Sequence, residues 1–251
     1  MATVGDILAI LNGMAPPELA EEWDNPGLLV GRADQQIEAA LLCVDATEAV
    51  VREARQRGAG LIVAHHPLMF RAIKRVRDDE PEGHVICELI RAGVSMIAAH
   101  TNLDMASGGV NDALAAALGL EDAVSPEPLL RAGRMEGTLR EVRERVERAL
   151  GTRALSYGPE DMRVTRVALC SGAGGSELAA AARCGAQAFI TGELKHSDLI
   201  LARQLGLGVI CAGHFETERV VLSPLANGLQ SRLDALQYNV KVYVSGTNPL
   251  A

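Results

Sequence analysis

The sequence lacks the features of a membrane or secreted protein. No hydrophobic stretch approaches the roughly 18 residues that a helix needs to cross a bilayer. Residues 1–6 do not lead a positively charged region into an apolar run, as a signal peptide would. The five cysteines form no Cys-x-x-Cys pair, and most lie in apolar runs, where reduced cysteine behaves as a small hydrophobic residue. We therefore expect a cytoplasmic protein without disulfides and without a membrane partner.

Positive charge is also scarce. Lys and Arg number 24 against 32 Asp and Glu, which gives a net charge of −8. Because an acidic chain repels phosphate backbones at long range, we do not expect general nucleic-acid binding. The 251 residues are 48% hydrophobic, which is enough to bury the core of one large or two small α/β lobes.

Short apolar runs alternate with helical periodicity along the chain. The runs predict buried strands at residues 41–44, 61–64, 95–99, 167–170, 188–191 and 207–212. Amphipathic segments between them predict helices, and strands that alternate with helices are typical of βαβ units. We therefore predict an α/β fold of two similar lobes with mostly parallel sheets.

A lobe boundary is predicted in residues 121–135, where prolines and glycines occur without a clear period. This divides the chain into an N-terminal α/β lobe over residues 1–125 and a C-terminal α/β lobe over residues 126–251. Cys43 aligns with Cys170 at the offset that the strands share, which indicates a weak internal duplication.

Three local patterns make narrower predictions. Thr3 and Asp6 predict a capping box at the start of a helix over residues 4–13. Pro224 predicts a kink or a break in the helical segment that ends near residue 235. Trp23, the only tryptophan, lies in a turn-rich segment and is expected to pack in a surface turn.

Histidines and acids follow three of the predicted strands directly. His65 and His66 follow the first of these strands, and the other two lead into His-x-x-x-acid segments, His100 to Asp104 and His214 to Glu218. Ligands bind beyond the carboxyl ends of parallel strands. A single histidine there is more often a hydrogen-bonded structural residue, but the repeated placement favours a metal site.

Imidazole and carboxylate groups suit Zn²⁺, Fe²⁺, Mn²⁺, Co²⁺ or Ni²⁺, and the absence of thiolates argues against a structural zinc site. The number of groups exceeds what one open tetrahedral site needs. It suits two ions about 3.5–4 Å apart with one bridging carboxylate. His100 is the weakest member, because Asp104 could point inward while His100 only supports a neighbouring ligand.

Two more segments are candidates for substrate contact. The turn with Ser171, Gly172, Gly174 and Gly175 could hold a phosphate through its amides, or it is a tight turn with Ser176 as the N-cap of a helix.

Residues 192–196 offer an acid and a base, Glu193 and His196, for proton transfer or substrate binding. Alternatively, they are the start of a helix with a favourable dipole partner. The candidate catalytic residues are Glu218, His100 and Glu193.

Five segments together resemble one known family. Residues 23–28, 64–68, 100–104, 191–193 and 213–218 are similar to the Nif-three-like dinuclear-metal proteins, many of which are named GTP cyclohydrolase 1 type 2 homologues. The similarity covers nearly the whole chain and corresponds to the short form without an inserted domain. It implies two α/β lobes with two divalent metal ions in the cleft between them and a ring-shaped homohexamer.

The resemblance also implies a ligand set. His65 and His214 would hold one ion, His66 and Asp104 the other, and Glu218 would bridge them. The corresponding hypothesis is a divalent-metal-dependent hydrolase whose two-metal site activates water. Its substrate would be a small molecule, a purine nucleotide such as GTP, opened at its imidazole ring. The alternative is a non-catalytic metal-binding or regulatory hexamer for metal storage or delivery.

Overall fold

The computed structural model describes residues 1–250. The strands in this range are β1 (Ala2–Thr3), β2 (Gly27–Val30), β3 (Gln36–Ile37), β4 (Ala39–Cys43), β5 (Leu61–Ala64), β6 (Ser95–Ala98), β7 (Glu121–Glu127), β8 (Leu130–Thr138), β9 (Leu155–Tyr157), β10 (Arg163–Cys170), β11 (Ala188–Thr191), β12 (Gly208–Cys211) and β13 (Lys241–Val244). The α-helices are α1 (Val4–Met14), α2 (Glu48–Gln56), α3 (Pro81–Ala92), α4 (Thr101–Met105), α5 (Val110–Ala117), α6 (Leu139–Leu150), α7 (Leu178–Arg183), α8 (His196–Gln204), α9 (His214–Glu218) and α10 (Leu222–Ala235). Single 3₁₀ turns occur at Pro17–Leu19, Gly174–Glu177 and Arg219–Val221.

The chain forms two compact units. The first comprises residues 1–107 and the chain from residue 222 onward, and the second comprises residues 108–221. The boundary therefore differs from the one expected near residue 125, and the end of the chain belongs to the first unit. The cause is β13, which pairs in parallel with β4 and so satisfies its backbone groups in the first sheet.

The sheet of the first unit has the order β13-β4-β5-β6-β2. All its pairings are parallel except that of β2 with β6. Leu41, Ile62 and Met96 are fully buried in the core that α2 and α3 also form. The unbroken apolar runs in β4, β5 and β6 reflect helices that cover a parallel sheet.

The second unit has the sheet order β7-β8-β10-β11-β12-β9. Only its centre, β10-β11-β12, is parallel, whereas β8, β7 and β9 are antiparallel. The α/β class is confirmed, but the expectation of mostly parallel sheets holds for the first unit only. The segment expected to be a boundary is the β7–β8 hairpin, and every residue of β7 is exposed, so no apolar period revealed it.

Both units repeat one succession of elements. In the first it is β4-α2-β5-α3-β6, and in the second it is β10-α7-β11-α8-β12. In each case the third strand is followed by a five-residue helix, α4 or α9, that begins at or next to a histidine. The two similar lobes predicted from the sequence are therefore present.

Two local signals predicted near helix ends are present in the structure. Thr3 and Asp6 form the predicted capping box, with Thr3 N donating to Asp6 at 2.8 Å and Asp6 N donating to Thr3 Oγ1 at 3.1 Å. The break predicted near Pro224 is present, because the 3₁₀ turn Arg219–Val221 separates α9 from α10, which begins at residue 222. Proline lies there in the first helical turn, where the amide it lacks has no partner within the helix.

None of the helices within residues 1–250 has the length and apolar character of a membrane-crossing segment.

Candidate metal centre

The adjacent histidines of the first unit continue the pairing of β5 with β4. His65 N donates to Cys43 O at 3.0 Å, and His66 N donates to Val44 O at 2.9 Å. These bonds fix both backbones at the carboxyl end of the sheet, as predicted. His65 is buried, with 2% of its surface exposed.

Three imidazoles of the first unit form one cluster. One ring nitrogen of each of His65, His66 and His100 lies within 4.8 Å of those of the other two. Asp104 joins them, with its Oδ1 3.6 Å from His65 Nε2 and only 13% of its side chain exposed. The structure therefore brings together the histidines and the acid that follow β5 and β6.

Each of these histidines has an oxygen acceptor at Nδ1. His65 Nδ1 donates to the carbonyl of Ala99 at 2.9 Å, His66 Nδ1 to Asp45 at 2.8 Å and His100 Nδ1 to Asp24 at 2.8 Å. An Nδ1–H that donates in this way puts the ring's lone pair on Nε2. This is the arrangement by which proteins orient metal-binding histidines.

Asp24 is the most enclosed of these acceptors, since its side chain is 0% exposed. Burial by itself raises the pKa of this carboxyl, but hydrogen bonds from His100 and Thr101 outweigh burial and hold the pKa well below its usual range. Asp24 is therefore ionised at neutral pH and fixes the orientation of the His100 ring.

Helix α4 presents Asp104 to the cluster. His100 N donates to Asn102 Oδ1 at 2.9 Å, and the Asn102 amide donates to Ala15 O at 2.8 Å. Leu103 is buried beside them. This short helix is thus held by tertiary contacts, because five residues are too few for stability on their own.

The second unit contains a smaller group of the same donors. His214 Nε2 lies 3.0 Å from Glu218 Oε1, and His214 Nδ1 lies 3.1 Å from Glu193 Oε1. Glu218 is buried, with 4% exposed, whereas the Glu193 side chain is 64% exposed. Glu193 thus contacts the far side of the His214 ring and orients it, and its part in proton transfer stays a prediction.

Two glycines leave room for this group. A side chain at Gly172 would collide with Glu218 Oε1 and come within 3.1 Å of His214 Nε2. One at Gly192 would come within 2.8 Å of His214 Cα. Glycine at both positions lets the backbone approach the histidine and the carboxylate closely.

The amides of the glycine-rich turn donate to neighbouring side chains. Ser171 N donates to Asn111 at 2.8 Å, Gly172 N to Thr217 at 3.1 Å and Gly174 N to Thr191 at 3.1 Å. Since these donors are engaged within the unit, the structure favours the tight turn over the phosphate cradle.

The N-cap predicted at Ser176 is wrong: residues 174–177 form a 3₁₀ turn, and the residue that precedes α7 is Glu177.

The other two residues proposed for substrate contact, Gly175 and His196, lie in different surroundings. The backbone at Gly175 lies close to Asp198, because a Cβ there would be 2.6 Å from Asp198 Oδ2. His196 is the first residue of α8 and lines a pocket of about 890 Å³ with Tyr157 and Ile200.

Two hydrogen-bond acceptors of the histidines, Asp45 and Asp24, were not predicted from the sequence. Asp45 lies just after β4, so the strand-end argument used for the histidines would have included it. Asp24 lies in the turn of the only tryptophan and carries no local signal of its partner, which is 76 residues away.

The fold and the site define an α/β protein with repeated βαβαβ units and a histidine and carboxylate cluster that could hold a metal ion. The sequence model of the family described as Duf34/NIF3 (NGG1p interacting factor 3) matches residues 2–249. The chain belongs to this family, as its motifs indicated.

Individual relatives agree with this assignment. A Clostridium perfringens protein named GTP cyclohydrolase 1 type 2 homolog is 33% identical over 243 residues, which is 92% of this chain and 93% of that protein. Among solved structures, a Bacillus cereus protein related to NIF3 matches with a TM-score of 0.95 at 24% identity, covering 99% and 98% of the two chains. The Staphylococcus aureus hypothetical protein SA1388 matches with a TM-score of 0.93 at 26% identity, covering 98% and 97%.

Proposed function

We propose that this protein is a divalent-metal-dependent hydrolase with a two-metal site that activates water. The observation that supports it most is the oxygen acceptor at Nδ1 of both His65 and His66, which puts each lone pair on Nε2. The donors are nitrogen and oxygen atoms, which suit Zn, Fe, Mn, Co or Ni, and the supply of metal decides among them.

The proposed ligands are those that the family resemblance implies. His65 and His214 would hold one ion, His66 and Asp104 would hold the other, and Glu218 would contribute to both. Bound divalent ions supply Lewis-acid polarisation of a substrate oxygen and lower the pKa of water.

The chain's own groups orient the site and handle protons. Asp24, Asp45 and Glu193 each hold one imidazole by its Nδ1. His100 is proposed to accept or return a proton at Nε2, because its Nδ1 donates to Asp24 and this leaves the lone pair on Nε2.

The first substrate class to test is the purine nucleotide. The name of the Clostridium perfringens relative supports GTP as the representative compound. The proposed reaction adds water to the imidazole ring of the base and breaks a carbon–nitrogen bond.

The test is an assay of metal-loaded protein on a panel of purine nucleotides and phosphate esters. The assay measures ring opening and phosphate release. We expect ring opening that disappears after chelation, returns with one or more of the five metals, and is lost in His66→Ala and Glu218→Ala. Asp34→Ala, an exposed acid paired with Arg32, is the control with the same change of charge as Glu218→Ala. Equal activity in wild type and Glu218→Ala would refute the proposal.

The alternative function, metal storage or delivery by a hexamer without turnover, makes a different prediction. It requires two bound ions per chain, no consumption of any compound in the panel, and rapid transfer of metal to an acceptor protein. The proposal also includes a cytoplasmic homohexamer, and light scattering coupled to gel filtration would test its mass.

A further inference from the structure

Two large aromatic rings are exposed beside the histidine cluster of the first unit. Trp23 is 60% exposed and Phe70 is 48% exposed, in a chain with only 3% aromatic residues. The Trp23 ring centroid lies 6.0 Å from that of His100 at an interplanar angle of 72°, and the Phe70 centroid lies 5.3 Å from it at 84°. The surface turn expected for Trp23 is present, but its ring is not packed away.

The segments that carry these rings are held in place by their neighbours. Asp24 accepts hydrogen bonds from His100 Nδ1 at 2.8 Å and from Thr101 N at 3.0 Å. Asn25 Nδ2 donates to Met69 O at 2.8 Å, which joins the turn that follows Trp23 to the segment that precedes Phe70. The two rings are therefore positioned in advance, although the fold gains little from burying them.

Exposed aromatic surface next to convergent polar groups is typical of a ligand site. Aromatic side chains recognise flat rings by stacking, which tolerates different bases because every base has a π-face. The site is bounded here by His100, the histidine proposed to handle the proton.

The charge of the segment that follows Phe70 indicates which substituent a bound ligand's ring carries. Residues 71–77 contain four cations and no acid, in a chain whose net charge is −8. Arg75 and Arg77 pair with Glu80 and Asp79, and Arg71 and Lys74 are exposed. Positive groups directly after Phe70 favour an anionic substituent.

We propose that Trp23 and Phe70 bind the planar heteroaromatic ring of the substrate beside His100, and that Arg71 and Lys74 attract its anionic substituent. This inference rests on the proposed function, since it names the residues that select the substrate at the same site. Neither aromatic residue takes part in proton transfer or metal binding.

The single tryptophan makes a direct test possible. Stacking of a purine changes indole fluorescence, and all tryptophan emission comes from Trp23. Metal-loaded protein is titrated with GTP, with guanosine and with ribose 5-phosphate, which lacks the ring. We expect saturable quenching by GTP and guanosine but not by ribose 5-phosphate. GTP should bind more tightly than guanosine, and this difference in affinity should shrink as salt is added.

Substitutions separate ring binding from folding. Calorimetry is used for the variants, so that Trp23 need not be the probe. Trp23→Ala and Phe70→Ala are each expected to weaken GTP binding about tenfold or more, whereas Trp23→Phe, which keeps an aromatic ring, retains most of the affinity. Leu236→Ala removes another exposed apolar side chain, 57% exposed, and is the control. Metal content and circular dichroism should match wild type in all four.

The results distinguish this inference from the proposed function. Ring binding that depends on Trp23 and Phe70 without turnover would support the inference and refute the hydrolase. Turnover unaffected by Trp23→Ala and Phe70→Ala would support the hydrolase and refute the inference. Absence of quenching by both purine compounds, or a changed oligomer in the alanine variants with unchanged GTP affinity, would overturn the assignment.

Discussion

His66 Nδ1 and Asp45 Oδ1 lie 2.8 Å apart, although 21 residues separate them in the chain. His66 follows β5 and Asp45 follows β4, and these strands are parallel neighbours. The pairing of two strands thus sets the orientation of an imidazole in the candidate metal centre. The same principle applies to His65, whose Nδ1 donates to the carbonyl of Ala99 just after β6.

Removing the acceptor of His66 should weaken metal binding without unfolding the chain. We expect Asp45→Ala to lower the affinity of the first unit's cluster about 10–100-fold, because the ring loses the partner that fixes its tautomer and orientation. Competition with a chromogenic chelator measures this affinity. Asp34→Ala removes an exposed acid of the same charge and should bind metal like wild type. Unchanged affinity in Asp45→Ala would contradict the role given to this carboxylate.

Gly172→Ala should disturb the His214 and Glu218 group. The added methyl would collide with Glu218, and Gly172 has φ +60°, a conformation that costs alanine about 1–2 kcal/mol. Gly185→Ala is the matched control, because Gly185 has φ +79° and nothing lies within 4 Å of the added carbon. Denaturant unfolding should show a larger loss of stability for Gly172→Ala than for Gly185→Ala. Elemental analysis should show metal loss in Gly172→Ala only. Equal losses of stability with full metal content would mean that Glu218 accommodates the methyl.

Glu53 should stabilise the first unit in a pH-dependent way. Its carboxylate accepts hydrogen bonds from the Ser245 hydroxyl, the Thr247 hydroxyl and Gly246 N, which tie the end of the chain to α2. Burial raises the pKa of Glu53, but these bonds outweigh it and lower the pKa below its ordinary value of 4.5. Folding therefore favours the ionised form, so the stabilisation is complete above about pH 4.5 and is lost as pH falls through the lower folded pKa.

The measurement compares wild type with Glu53→Gln by denaturant unfolding between pH 7 and pH 3. At pH 7 we expect Glu53→Gln to cost about 1.5–3 kcal/mol, the usual contribution of hydrogen bonds to a charged group, and the difference should shrink toward the acid end. Glu38→Gln, at an exposed position of the same unit, should show little difference at any pH. A difference that stays constant with pH would argue against an ionised Glu53.

Local patterns predicted the elements that have a clear period. The strands that precede His65 and His100 were predicted within one or two residues, because their apolar runs reflect burial on both faces of the sheet. The hairpin β7–β8 was missed because β7 is exposed throughout and so has no apolar pattern. Pro224 indicated the break before α10, because proline is accepted in the first turn of a helix but not further along it.

The sequence by itself determined where the candidate ligands of the first unit lie: His65, His66, His100 and Asp104 follow apolar strands directly. Tertiary structure alone decided which groups orient them, and it also returned the chain from residue 222 onward to the first unit. The reason is that burial and periodicity act over a few residues of one segment. The partners Asp24, Asp45 and Ala99 depend on the order and register in which distant segments pack.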